Sequence, residues 1–202
     1  MRTATITKTF YTFDELSDDA KAKAIEDNRD WNVDGLDWWD AVYEDFKRVC
    51  TIMGVDVDDM SFTGFWSQGD GASFIGSYGY KPGALNDIMA YAPKDEDLHA
   101  LCKRLQDVQR RWFYGLTATI TRMAHGGNYV HSNTMTCEVW SGIHDMCVGG
   151  DDEAEVLDVM RRLADWLYDS LEREYEYLTS DEAVQESLEA NEMEFTEDGY
   201  DA

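Results

Sequence analysis

Residues 60–78 read MSFTGFWSQGDGASFIGSY, and the two arms of this segment decide the architecture. Met60–Trp66 and Ser73–Tyr78 are rich in aromatic residues, and SQGDGA lies between them. Such arms favour strands, while an Asp-Gly pair supplies the turn chemistry of a tight connection. The segment predicts an antiparallel hairpin with Trp66 at the end of its first strand.

Working outward, strict alternation marks three more strands. Downstream, Leu116, Ala118 and Ile120 alternate with Thr117, Thr119 and Thr121. After a loop with Gly126 and Gly127, Met135, Cys137 and Val139 share one face. Upstream, Ala4, Ile6, Lys8 and Phe10 alternate with threonines over Thr3–Phe10.

The segments between these strands carry helical spacing. Ser17 precedes Asp18 and Asp19, an N-cap with acids in the first turn, and opens a helix to about Asp30. Asn32–Gly35 breaks it. Trp39, Val42, Phe46, Val49 and Met53 then recur every three or four residues until Gly54, a core stripe. A short apolar stretch covers Leu85–Tyr91, and after Pro93 the spacing returns at Leu98, Leu101, Leu105, Val108 and Trp112. The pattern predicts one α+β domain over residues 1–202. Its sheet has about five strands, antiparallel or mixed, with amphipathic helices on one face.

From about residue 150 the chain reads as a long acidic helix. Asp151, Asp152 and Glu153 suit its positive end. Val156, Met160, Leu163, Leu167, Leu171 and Leu178 form its apolar stripe. Glu155, Asp158, Asp165, Asp169, Glu172 and Glu176 repeat on a different face, interrupted by Arg162. Ser180 caps a second helix carrying Glu182 and Glu186, and EFTEDG reads as a final strand or turn.

Charge narrows the function. The 202 residues hold 17 bases and 42 acids, a formal charge of -25. Direct nucleic-acid binding needs Lys and Arg to replace phosphate counterions, so it is excluded; anionic membranes are disfavoured by the same sign. The imbalance is local. Residues 101–150 carry 3 acids against 5 bases, whereas residues 151–202 carry 19 acids against 3 bases. No stretch approaches the roughly 18 apolar residues of a spanning helix, and MRTATITKTF lacks a signal-peptide apolar region. Four cysteines, at 50, 102, 137 and 147, are too few for a disulfide scaffold. A soluble cytoplasmic protein is expected.

Tests for chemistry return little. His125, His131, His144, Cys137 and Cys147 lie close in sequence but lack the spacings that bring two ligands to one metal. Asp56, Asp58 and Asp59 begin like a calcium loop without its glycine and closing glutamate. Ser67 lacks the preceding glycine of a nucleophile elbow, and GDGASFIGSYG fits no phosphate-binding pattern. No cofactor, metal or catalytic residue is expected, and the protein reads as a non-enzyme. The aromatic hairpin stays unusual: Trp66, Ser67, Gln68 and Asp70 are candidate ligand or partner contacts at its turn, against the plainer reading that the aromatics are core.

SFTGFWSQGDGASF, together with FDELSDDAKAKAIEDNRD, YEDFKRV and EYEYLTSDEA…ANEMEFTEDG, resembles a family of uncharacterised acidic accessory proteins of tailed bacteriophages and prophages. The resemblance spans both ends and the middle of the chain and is most specific at the hairpin. It implies a phage protein made in the bacterial host cytoplasm and carries over no catalytic residue. With the charge, it leads to an inhibitor that binds a basic, nucleic-acid-handling surface of a host defence protein, as a mimic of nucleic acid. Glu155, Asp158, Asp165, Asp169, Glu172, Glu176, Glu182 and Glu186 are its candidate partner contacts, alone or completed by a second copy of the chain. The alternative is a ligand-binding protein that sequesters a nucleotide immune signal by stacking its base on the WSQGDG hairpin.

Overall fold

A computed structural model describes residues 8–35, 37–123 and 130–202. In chain order the elements are β1 (Tyr11–Thr12), α1 (Asp18–Asp27), α2 (Asp40–Met53), β2 (Val55–Phe62), β3 (Ala72–Gly79), α3 (Ala84–Tyr91), α4 (Glu96–Arg111), β4 (Leu116–Arg122), β5 (Met135–Ser141), β6 (Met146–Val148), α5 (Asp151–Leu178), α6 (Asp181–Ala190) and β7 (Glu194–Phe195). The fold is α+β. β2 to β6 form a five-stranded sheet in sequence order, every neighbouring pair antiparallel.

The chain divides into two compact units, residues 40–172 and residues 1–39 with 173–202. In the larger, the alternation of β4 is visible directly: Leu116, Ala118 and Ile120 are buried, while Thr117, Thr119 and Thr121 are exposed. Helices cover the buried face. Phe46 of α2 packs edge-on against Phe74 of β3, with ring centroids 5.4 Å apart, and stacks with Trp166 of α5. Gln109 of α4 bonds the backbone of Leu116 at both its ends: its Nε2 donates to the carbonyl, and its Oε1 accepts from the N–H. Val156, Met160, Leu163 and Leu167 of α5 are fully buried, as their spacing requires.

The smaller unit has its own core of Phe13, Leu16, Ala20, Ala24, Val184, Leu188 and Phe195. β1 and β7 pair as a two-stranded ribbon within it. Ser17 and Ser180 cap α1 and α6, their hydroxyls accepting from the N–H groups of Ala20 and Ala183. Asn32 donates to the carbonyl of Leu178 and accepts from the Ser187 hydroxyl, tying the turn after α1 to the α5–α6 junction.

Five local expectations are corrected. The strand expected over Thr3–Phe10 falls mostly outside the described residues, and among those residues Lys8–Phe10 is not strand and the pairing begins at Tyr11. The first hairpin strand runs Val55–Phe62, so it starts earlier and leaves Trp66 out. Its connection is the long loop Thr63–Gly71, not a tight turn, because Phe65 folds back onto Phe62 and Tyr168. α1 stops at Asp27, where the Asn28 side chain bonds the Ala24 carbonyl. The fifth strand of the sheet is β6, whose three residues are too short to show a period. Asp56, Asp58 and Asp59 lie within β2, at a register shift between Val57 and Asp59.

Candidate protein-contact surface

The hairpin loop is tied at its base and at its tip. The Thr63 N–H donates to the Gly71 carbonyl at 3.0 Å. At the tip, the Asp70 carboxylate accepts from the Ser67 N–H at 2.7 Å, while the Asp70 N–H donates to the Ser67 carbonyl at 3.1 Å. These bonds explain Asp70 as a turn-former. Gly71 is required by a close approach, since a Cβ there would lie 2.6 Å from the Cβ of His131.

Phe65 anchors the loop, packing on Phe62 and on Tyr168 of α5 at 5.9 and 5.4 Å between centroids. Phe62 in turn meets Tyr43 of α2 edge-on. The Tyr168 hydroxyl donates to the Gly64 carbonyl at 3.1 Å. Trp66, beside Phe65, has φ 67° and is 70% exposed. A tryptophan in the left-handed region costs on the order of 1–3 kcal/mol, so the loop holds a large aromatic surface in water at a cost in backbone strain. Ser67 and Gln68 are exposed next to it. The expectation that these aromatics are either core or contact thus divides: Phe62 and Phe65 pack, and Trp66 projects.

The acidic helix meets this loop at Tyr168. Burial pushes the Tyr168 hydroxyl pKa up, and the charges of Asp70, Glu172 and Asp169 push it in the same direction. Carboxylates of the hairpin and of α5 therefore act on one tyrosine. Asp165 and Asp169 are exposed and Glu172 is half-buried, one helical turn apart along α5. An exposed indole on a loop that is fastened to an acidic stretch of helix suits a guanidinium or ammonium, which gains from both a ring face and negative charge.

The first half of α5 is different. Arg104 of α4 donates to Glu155 at 2.6 Å and to Asp158 at 2.7 Å. Asp152 accepts from Arg111 and from the Trp112 indole N–H. Glu155 and Asp158 thus share an internal partner. Glu176, at the end of α5, and Glu182 and Glu186, on α6, belong to the smaller unit and are exposed there. Sequence reasoning missed Tyr168, whose place between Leu167 and Asp169 shows no period of its own. It also missed Arg104, which lies far from its partners along the chain.

Among the described residues, no three His, Cys, Asp or Glu side chains converge to hold a metal ion. His125 falls outside them, and His144 packs edge-on against Trp112. No described helix is long and apolar enough to cross a membrane. A family model described as a domain of unknown function, DUF8835, matches residues 38–181. No curated protein and no solved structure matches the chain.

Proposed function

The chain belongs to the DUF8835 family, and on that premise we propose that it is a binding protein whose acidic helix and hairpin tip together occupy a basic surface of a partner protein. The observation that carries this reading is the junction at Tyr168, where exposed Trp66 and the carboxylates of Asp70, Asp169 and Glu172 adjoin. The partner is a nucleic-acid-handling component of host defence, met in the bacterial cytoplasm, as the resemblance to phage accessory proteins implies. A charge of -25 steers such an encounter at long range.

Magnitudes argue against a simple duplex mimic. Residues 155–176 of α5 span roughly 31 Å at about 1.5 Å per residue. Six acids over that length fall well below the one charge per about 1.7 Å of duplex DNA. Pairing of Glu155 and Asp158 with Arg104 thins the stripe further. The contact accordingly needs an apolar anchor, and Trp66 fills that role, as aromatic hot spots do at protein interfaces. Sequestration of a nucleotide is less well supported, because the carboxylates of Asp70, Glu172 and Asp169 that act on Tyr168 would repel its phosphates.

The test is affinity capture with tagged protein from bacterial lysate across a salt series. The wild type should retain a basic nucleic-acid-handling protein, with capture falling steeply as salt screens exposed charge over about 8 Å. Trp66→Ala, and separately Asp165→Asn with Asp169→Asn, Glu172→Gln and Glu176→Gln, should each lose it while circular dichroism stays unchanged. Capture by both variants at every salt concentration would sink the proposal.

A further inference from the structure

The loop Thr63–Gly71 presents Trp66 in a backbone conformation that tryptophan does not favour. Its φ of 67° lies in the left-handed region, where a Cβ crowds the following carbonyl. The indole leans on Phe65 at 5.7 Å between centroids, yet 70% of the residue stays in water. Burial of the indole therefore does not account for the conformation. The two peptide groups that flank its Cα do, because their relative orientation is what φ and ψ of Trp66 describe.

Both groups are held. The Tyr168 hydroxyl donates to the Gly64 carbonyl at 3.1 Å, before Phe65. Burial raises the pKa of that hydroxyl, and a hydrogen bond from the Trp66 backbone opposes the rise. The same oxygen thus meets the chain again after Phe65, at the peptide group that enters Trp66. Between these two points the Phe65 ring lies over the tyrosine ring, with centroids 5.4 Å apart. The peptide group that leaves Trp66 is fixed separately, since the Ser67 N–H donates to the Asp70 carboxylate at 2.7 Å. A phenylalanine at 168 would keep the ring contact but offer neither the proton nor the lone pair.

We propose that Tyr168 is a positioning residue: it holds Trp66 in its left-handed conformation in the free protein, so that a partner meets an indole already in place. The inference rests on the reading of this tip as a contact site, and it adds a reason for the loop to be seated on α5. A loop ordered only on binding loses part of the binding free energy to that ordering, whereas a pre-set one does not.

Labelling the 7 tryptophans with 5-fluorotryptophan gives each indole a fluorine line, and Trp66→Phe identifies one by its loss. In the wild type the Trp66 line should be single, sharp and displaced from the position of a freely rotating exposed indole. Tyr168→Phe, with unchanged circular dichroism, should move it toward that position and leave the other lines in place. A general loosening of the fold would not single out one indole. Hexa-arginine peptide then probes the contact. Half of the Trp66 shift should need about two- to tenfold more peptide in Tyr168→Phe, the factor that one hydrogen bond represents. Trp66→Gly is the independent variant: glycine takes a left-handed φ freely, so it should unfold at a higher denaturant midpoint than Trp66→Ala.

A Trp66 line that Tyr168→Phe leaves in place overturns the positioning. So does a midpoint for Trp66→Gly no higher than that of Trp66→Ala. Equal peptide requirements in the wild type and Tyr168→Phe overturn it as well, and leave the contact reading standing. Peptide that fails to move the Trp66 line of the wild type overturns the contact reading, and with it the role given to Tyr168.

Discussion

The two halves of α5 carry the same kind of residue and use it differently. In the first half, Asp152, Glu155 and Asp158 meet arginines from α4. In the second, Asp165, Asp169 and Glu172 run past the hairpin loop, and the tyrosine between them fastens that loop to the helix. Even Arg161, at the midpoint, is directed elsewhere: it donates to the Met135 carbonyl of β5. The difference teaches that a count of acids along a helix is not a contact surface. Glu155 and Asp158 are held by Arg104 of α4, whereas Tyr168 ties its part of the helix to the hairpin loop.

The largest expected effect erases the comparison altogether. Leu163→Ala removes a fully buried side chain from the stripe that both halves share. It should cost about 2–5 kcal/mol, read as a lowered denaturant midpoint, and both halves should lose structure together. Tyr168→Phe sharpens the second half. Losing its bond to Gly64 should cost about 0.5–1.5 kcal/mol, and hydrogen exchange should quicken over residues 63–71 while the first half stays protected. Equal quickening in α4 would mean that the two halves are not separable.

Arg104→Ala tests the first half. Its pairs with Glu155 and Asp158 are partly exposed, so the loss should be at most about 1 kcal/mol. The freed carboxylates should strengthen capture of a basic partner, or leave it unchanged. Weakened capture would show that the first half contributes to the contact through its present geometry. The smallest effect is in pH. Burial would raise the Asp152 pKa, but hydrogen bonds from Trp112 and Arg111, with the arginine charge, outweigh it and hold the group below its ordinary value. A carboxylate depressed in the folded state stabilises above its unfolded pKa of about 3.9 and loses that contribution as pH falls through the folded value. Acid unfolding should therefore set in at higher pH in Trp112→Phe with Arg111→Gln than in the wild type. Identical acid midpoints would remove Asp152 from the account.

Much of the architecture is legible in the residues themselves. Ser17, Ser180 and Gly54 mark helix ends at their observed places, and the stripes are buried over Phe46–Met53 of α2, Leu98–Val108 of α4 and Val156–Leu171 of α5. Trp39, Val42, Trp112 and Leu178, at the ends of the stripes, are only half-buried. The alternation of β4 tells its two faces apart. The hairpin is less transparent. Asp-Gly chemistry argues for a tight turn, yet Phe65 has a site on α5 to fill, and the loop lengthens to reach it. β6 is illegible because three residues contain no period, and its strand exists through its pairing with β5.

Sequence by itself determined the capped helix starts at Ser17 and Ser180, the α+β class and the concentration of negative charge after residue 150. All of these follow from local propensity, periodicity and composition, which act over a few residues. Only the tertiary structure decided which of those charges meet a partner within the chain and that Trp66 projects beside the acidic helix. The physical reason is distance along the chain: Arg104 reaches Glu155 across 51 residues, and Tyr168 reaches Gly64 across 104. No period in the sequence records a contact that only packing of the sheet and its helices brings within a hydrogen bond.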